Sequence, residues 1–366
     1  MSYLDRVDAA LQRIRAENRY RELAAHQASG VIDFSSNDYL GLSTDTRVVQ
    51  AFARASRVGS GGARLLGGRH REHSLLEEEL AAWLGRERVL LFSSGYHAAL
   101  GVIPALAACV ECIYSDRLNH ASLIDGIRST RVSREIYTHL QPPSRPMRSS
   151  SALLVSESIF SMDGDVADVR AMFDDLGDDD VLLLDEAHAL GLVGARGAGL
   201  AHALTDSRVV VIGTLSKSLG ALGGFVAGPA ALIELLINSA RTFIFDTALP
   251  PAIALAARIA LNIVRNDETR RAALHENVAR LRAGLRAIGL PSTDTESPIV
   301  PIYLGESARA LRVTELLLGK GIYAPAIRPP TVPPGTSRLR LSVRANHTCE
   351  EIDLCLRELE RCIGTS

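Results

Sequence analysis

The sequence predicts an α/β protein, with a large domain on a mostly parallel sheet and a smaller α+β domain after it. Three observations carry this reading. Four short apolar runs, Val89–Phe92, Ala152–Val155, Val181–Leu184 and Val209–Ile212, are separated by helical patterns. Runs without polar alternation suit parallel strands buried on both faces. Each run is followed by small or polar residues, which belong at the carboxyl edge of an open parallel sheet, where ligands bind. From about residue 250 the texture changes. The 366 residues exceed what one compact core usually holds. Three divisions follow: an N-terminal helix and ordered loop over 1–40, a large α/β domain over 41–250, and a smaller α+β domain over 251–366.

In chain order, the segment opening Met1-Ser2-Tyr3-Leu4 starts an amphipathic helix with charges of both signs. Asp33 to Leu42 is too rich in specific polar residues for a plain linker and is expected to be an ordered loop. Leu75 to Leu84 is helical, the first apolar run follows, and Ala98 to Ala108 is helical again. Beyond Pro250-Pro251 a long, mostly helical stretch runs from Ala252 to Ile288, with Gly289 as its stop. A strand at Ile299–Tyr303, a helix to Lys320, a proline-rich loop over Arg328 to Pro334, a strand at Arg338–Val343 and a helix from Cys349 complete the chain.

Forty basic and 42 acidic residues leave a net charge of −2. Neither a nucleic-acid partner nor an acidic membrane surface is indicated. The first residues show no signal-peptide core and no stretch is apolar enough to span a bilayer, so a cytoplasmic location is expected. Cys109 and Cys112 form a Cys-x-x-Cys pair without a second pair, and Cys349, Cys355 and Cys362 have no metal-knuckle spacing. All five are expected to be reduced packing residues, and no metal is expected.

Only two of the 40 basic residues are lysines, Lys217 and Lys320. Schiff-base chemistry needs a primary amine, which arginine cannot supply. Lys320, in Leu-Leu-Gly-Lys-Gly, sits at a helix end, where a cation suits the helix dipole. Lys217, in Gly-Thr-Leu-Ser-Lys-Ser-Leu-Gly directly after the run at Val209, sits where a cofactor can approach the backbone. Asp185-Glu186-Ala187-His188 spells a helicase box, but neither lysine lies in a phosphate loop of the required form, which excludes a nucleotide hydrolase. A pyridoxal phosphate site needs a lysine, an acid for the pyridine nitrogen, donors for the phosphate and a flat group against the ring. Lys217, Asp185, the helix start at Gly95-Tyr96 and His120 can supply these in turn.

These motifs, together with Ser36-Asn37-Asp38-Tyr39-Leu40-Gly41-Leu42, Gly59-Ser60-Gly61-Gly62 and Phe160-Ser161-Met162-Asp163-Gly164-Asp165, resemble the α-oxoamine synthases. These are fold-type I pyridoxal phosphate enzymes that join an amino acid to an acyl thioester and release carbon dioxide. The resemblance runs from about Phe34 to the C-terminus. Within the family, Ile327-Arg328-Pro329-Pro330-Thr331 and the residues after it are similar to the biotin-pathway branch. That branch uses L-alanine and a pimeloyl thioester carried by coenzyme A or a carrier protein.

The resemblance implies that Lys217 carries the cofactor and shuttles protons, that His120 stacks on the ring and that Asp185 pairs with its nitrogen. Ser161 and His188 would approach the phenolic oxygen. Gly95, Tyr96 and Thr214 would serve the phosphate, with Thr247 reaching it from the second subunit of a homodimer. Arg21, Asn37, Thr331 and Arg340 would face substrate, with Arg340 first and Arg328 second for the amino-acid carboxylate. Three departures stand out. Ala189 replaces a frequent glycine, and Gly62-Ala63-Arg64 replaces a glycine-serine pair. The segment from Arg21 to Phe34 is short, which puts a leading strand there in question. A sister condensation using glycine or serine, and an aminotransferase of the same fold, are the alternatives.

Overall fold

A computed structural model describes residues 1–23, 30–143, 150–293 and 295–364. The chain forms two compact units, one of residues 37–161 and 165–272, the other of residues 1–36, 162–164 and 273–366. The strands in chain order are β1 (Ile32–Asp33), β2 (Arg88–Phe92), β3 (Cys112–Asp116), β4 (Ser133–Tyr137), β5 (Ala152–Glu157), β6 (Val181–Asp185), β7 (Val209–Thr214), β8 (Gly224–Gly228), β9 (Ile299–Gly305), β10 (Ile322–Tyr323), β11 (Ala326–Ile327) and β12 (Ser337–Ser342).

In the first unit seven strands form one sheet in the order β2-β8-β7-β6-β5-β3-β4. Only β8 runs against its neighbours, and since it is antiparallel to both β2 and β7, all the others share one direction. The four apolar runs of the sequence are β2, β5, β6 and β7, with β5 and β7 buried throughout. Three strands of this sheet escape the apolar-run criterion. The edge strand β4 is Ser-Arg-Glu-Ile-Tyr and largely exposed, β3 carries Ser115 and Asp116, and β8 is bounded by glycines.

The helix Gly95–Ala107 covers this sheet with small and branched residues. Ala98, Ala99, Val102 and Ile103 are fully buried, in one cluster with Phe92, Ile113, Val155, Leu183 and Ile212. Alanines let the helix approach closely, and truncating a filled position such as Ile103 to alanine costs about 2–5 kcal/mol. The helix anchors the backbone amides of its first turn at the sheet's carboxyl edge.

The expected long stretch Ala252–Ile288 is two helices, Pro251–Asn266 and Thr269–Ala287. Asp267 breaks it by leaving helical geometry (φ −117°, ψ 101°) and accepting the Thr269 N–H at 3.0 Å. An aspartate that competes for backbone N–H groups in this way starts helices rather than continuing them.

In the second unit β12 lies between β9 and β11, antiparallel to both. A separate parallel pair joins β1 to β10, Ile32 opposite Ile322. A two-residue strand therefore does exist between Arg21 and Phe34, although residues 24–29 of that segment lie outside the described residues. The helix Ser307–Leu318 ends one residue before Gly319, so Lys320 lies just past it. Helix Cys349–Gly364 buries Cys355 and Cys362. All five thiols are free, but Cys109 and Cys349 are exposed, which corrects the packing role expected for them. Among the described residues no helix is long and apolar enough to cross a membrane.

Candidate active site

The shared strand direction puts the C-terminal ends of β3, β5, β6 and β7, and the loops after them, at one edge of the sheet. Register makes this local: Glu157 is the partner of Asp185, and Asp185 is the partner of Ile212, two residues before Thr214. Gly220, at φ +60°, closes the turn after β7, donating its N–H to the Lys217 carbonyl at 2.8 Å. A side chain there would strike Ser43 N at 2.3 Å, so only glycine lets this turn lie against the Leu42–Ser43 backbone.

Lys217 is half-buried, and its Nζ lies 2.7 Å from His188 Nε2. The other ring nitrogen of His188, Nδ1, is 2.7 Å from the Tyr39 hydroxyl, which donates to Asn37 Oδ1 at 3.1 Å. Tyr39 and His188 are buried, at 0% and 3% exposure. Asp185 is buried and accepts the Ala187 N–H at 2.9 Å on one carboxylate oxygen. The fold thus brings Lys217, His188 and Asn37 into one connected chain.

His120 caps the helix Ala121–Arg128, its Nδ1 accepting the Ser122 N–H at 3.3 Å. The ring keeps an exposed edge. Enough protein surrounds it that desolvation lowers its pKa, opposed by Asp185 and assisted by Lys217. It is therefore a neutral ring at pH 7, with its proton on Nε2. Tyr96 meets it edge-on, ring centres 6.4 Å apart, and the Tyr96 hydroxyl donates to Asp125. Ser161 is buried at the end of the loop that follows β5.

Ser94 caps the helix Gly95–Ala107, accepting the His97 N–H at 3.1 Å. A β-carbon on Gly95 would sit 3.4 Å from Thr214 Cβ, so the helix start and the end of β7 lie against one another. Gly224 of β8 touches the same corner, since a side chain there would reach Gly95 N at 2.3 Å. Thr214 Oγ1 lies 2.7 Å from Ser216 Oγ and donates to the Gly223 carbonyl at 2.9 Å. The N–H groups of a helix's first turn, flanked by hydroxyls, form an anion cradle. Thr247 is exposed and lines a separate small cleft with Arg64, Ser93 and Asp246. Arg64, unusual by comparison with the family pattern, lies bidentate on Glu77 at 3.0 Å. A lysine amine, a buried carboxylate at a strand end, a flat neutral imidazole and an anion cradle together fit pyridoxal 5′-phosphate.

A second group lies wholly within the other unit. Arg21 Nη2 is 3.4 Å from Thr331 Oγ1, and Arg328 donates to the carbonyls of Asn18 and Tyr20. Burial lowers the pKa of Arg328, and the neighbouring Arg21 charge lowers it further. Arg340 is buried in β12 and donates to Ser342 Oγ at 2.6 Å.

Glu157 has no role in the sequence reading, although it is the last residue of β5, in the polar stretch that follows the apolar run Ala152–Val155. It is 2% exposed, and its Oε1 has no hydrogen-bond partner. Burial raises its pKa to about 8, the Asp185 charge adding to the rise and Lys217 opposing it. Glu186, buried between Ser158 and the Leu200–Ala201 amides, is raised to about 7, mainly by burial. Tyr39 is likewise missed. It lies inside a quoted motif, but only the three-dimensional structure puts it on His188.

A family model for class I and II aminotransferases matches residues 29–359. An 8-amino-7-oxononanoate synthase of Anaeromyxobacter dehalogenans is 46% identical over 334 residues, 88% of this chain and 84% of that protein. Among solved structures, a serine palmitoyltransferase of S. paucimobilis superposes with a TM-score of 0.89 at 28% identity, covering all of both chains. An 8-amino-7-oxononanoate synthase of Francisella tularensis superposes with a TM-score of 0.77 at 27% identity, over 92% of this chain and 99% of that one. The chain belongs to the class I and II aminotransferase family of fold-type I pyridoxal phosphate transferases, and within it to the α-oxoamine synthases.

Proposed function

We propose that this chain is an 8-amino-7-oxononanoate synthase, condensing L-alanine with a pimeloyl thioester and releasing carbon dioxide in biotin biosynthesis. The observation that carries the choice within the family is the guanidinium pair Arg21 and Arg328 beside Thr331. Neither has a carboxylate partner among the described residues, and Arg21 is exposed. A pimeloyl chain ends in a carboxylate that such a pair suits, whereas a long fatty acyl chain ends in a methyl group. The sequence identity to 8-amino-7-oxononanoate synthases supports the same choice.

Pyridoxal phosphate, when bound, supplies an aldehyde for the lysine and an electron-poor ring that spreads charge from the carbon beside it. Asp185 would hold the proton on the ring nitrogen, His120 would stack on the ring, and His188 and Ser161 would serve its phenolic oxygen. The amides of Gly95 and Tyr96, with Thr214, would bind the phosphate. Thr247 joins them from the second subunit of a homodimer. The Lys217 amine takes the Cα proton of alanine at Nζ and returns it after carbon dioxide leaves. Asn37 and Thr331 orient substrate, and Arg340 takes the alanine carboxylate. The acyl carrier is coenzyme A or a carrier protein.

The test is a matrix of alanine, glycine and serine against pimeloyl, octanoyl and palmitoyl thioesters, read as carbon dioxide release. Alanine with the pimeloyl thioester is expected to lead by at least tenfold. Serine with palmitoyl in first place would replace this reading with a sphingolipid-type condensation.

A further inference from the structure

Tyr96, Asp125 and His120 form a closed circuit of contacts at the edge of the candidate site. Tyr96 stands in the first turn of the helix Gly95–Ala107, and its hydroxyl donates to Asp125 Oδ2. Asp125 lies on the helix Ala121–Arg128, which His120 caps. The His120 Nδ1 accepts the Ser122 N–H at 3.3 Å, and this holds one side of the imidazole. Tyr96 returns to the same ring, with the centres 6.4 Å apart and the planes crossing at 80°. The circuit therefore joins the two helices that carry the phosphate amides and the flat ring.

Both rings need such support. The χ2 torsion of a histidine is broad and roughly two-fold, so one cap bond leaves the imidazole room to rock. Tyr96 is 38% exposed, so packing alone does not set its ring. Asp125 also meets Arg128 at 3.7 Å, but that arginine is largely exposed. An ion pair so open to water is weak and does not draw the carboxylate away. The hydrogen bond to Asp125 raises the Tyr96 pKa, so the hydroxyl keeps the proton it donates. We propose that Asp125 is a positioning residue that holds Tyr96 against His120 and so fixes the phosphate cradle and the stacking ring as one body. The inference rests on the reading of Gly95, Tyr96 and His120 as cofactor-binding residues. A ligand gripped at both ends binds best when the two grips keep their spacing before it arrives.

The test uses the full-length holoenzyme, diluted until cofactor dissociates, with the bound fraction read from visible absorbance and visible circular dichroism. Asp125→Ala and Tyr96→Phe are each expected to raise the cofactor dissociation constant about fivefold, the scale of one net hydrogen bond. The double variant should lose that factor once, because the two partners of one bond are not additive. Asp125→Asn keeps an acceptor for the hydroxyl and is expected to stay within about twofold of wild type. The dichroism per bound cofactor should fall in both single variants and return in Asp125→Asn. That signal reports ring orientation, which a change in overall stability alone does not move. Wild-type affinity and dichroism in Tyr96→Phe overturn the proposal, as do losses that multiply in the double variant. An Asp125→Asn protein as weak as Asp125→Ala also overturns it. Wild-type affinity and dichroism in His120→Ala would instead overturn the reading of His120 as the stacking ring, a separate failure with a separate signature.

Discussion

Glu157 and Asp185 are register partners at the ends of adjacent parallel strands, so two carboxyl groups share one buried corner. Like charges at such a place resist joint ionisation. Burial, then the Asp185 charge, holds Glu157 up to about 8, so at neutral pH Glu157 keeps its proton. The unfolded chain releases that proton near pH 4.5. Between about pH 4.5 and 8 the folded state therefore binds more protons than the unfolded one, and stability falls as pH rises through this window. Glu157→Gln, neutral at every pH, is expected to flatten the dependence of melting temperature on pH between 5 and 8. Thermal melts of both proteins across this range check it, and parallel curves would remove Glu157 as their cause.

Lys217→Ala is expected to abolish turnover, by a factor of at least about 10³, because no other amine stands at the strand end. Lys320→Ala, just past the helix Ser307–Leu318, should stay within a few-fold of wild type. Steady-state rates and the visible absorption of each purified variant decide this. A coloured, active Lys217→Ala would refute the assignment.

His139 clips two loops of the site's unit together. Its Nδ1 lies 3.0 Å from Asp116 Oδ1, its Nε2 3.2 Å from Asp165 Oδ2, and its ring stands edge-on to Phe160 at 4.4 Å. Burial alone would lower its pKa, but the bonds to Asp116 and Asp165 outweigh it and hold it at about 9. The stabilisation from the charged ring is complete below the unfolded value near 6.5 and is lost as pH rises through 9. His139→Gln is expected to cost about 1–3 kcal/mol at pH 6, with the gap to wild type narrowing towards pH 10. Urea melts at the two pH values measure it, and a gap that does not narrow would show that packing on Phe160 is the whole effect.

The sequence makes the central strands legible because β5, β6 and β7 are continuous apolar runs, and their polar ends are legible because nothing apolar could stand there. Lys217, His188 and Asp185 follow from that pattern. The rest depends on pairing across long separations. β4 is polar because it is an edge, β8 is short and glycine-bounded, and the two-residue strands β1 and β10 exist only through each other. Glu157 looks like an ordinary polar residue until the register sets it beside Asp185. Tyr39 and His188 are 149 residues apart in sequence, a relation no local spacing encodes. Asp267 is the opposite case, a local signal of helix interruption that the apolar periodicity on either side obscured.

Arg21 and Arg328 offer the sharpest test of acyl specificity. Arg21 contacts Thr331, and its charge contributes, after burial, to lowering the Arg328 pKa, so the two guanidiniums repel. An anion placed between them would relieve that repulsion, and the distal carboxylate of a pimeloyl chain is such an anion. Arg21→Ala is expected to raise the KM for the pimeloyl thioester about tenfold or more, the worth of a charge-assisted hydrogen bond, while the alanine KM stays unchanged. Loss of binding that is equal in ground and transition states appears in KM with kcat preserved. Arg328→Ala should do the same, with an added stability cost because its donors also hold the Asn18 and Tyr20 carbonyls. The control is a neutral thioester of equal length, with a methyl ester in place of the distal carboxylate. Wild type should use it poorly, and Arg21→Ala should use it no worse than wild type does. Equal use of both thioesters by wild type would mean that the guanidinium pair does not read the acyl end, and the choice of pimeloyl would lose its structural support.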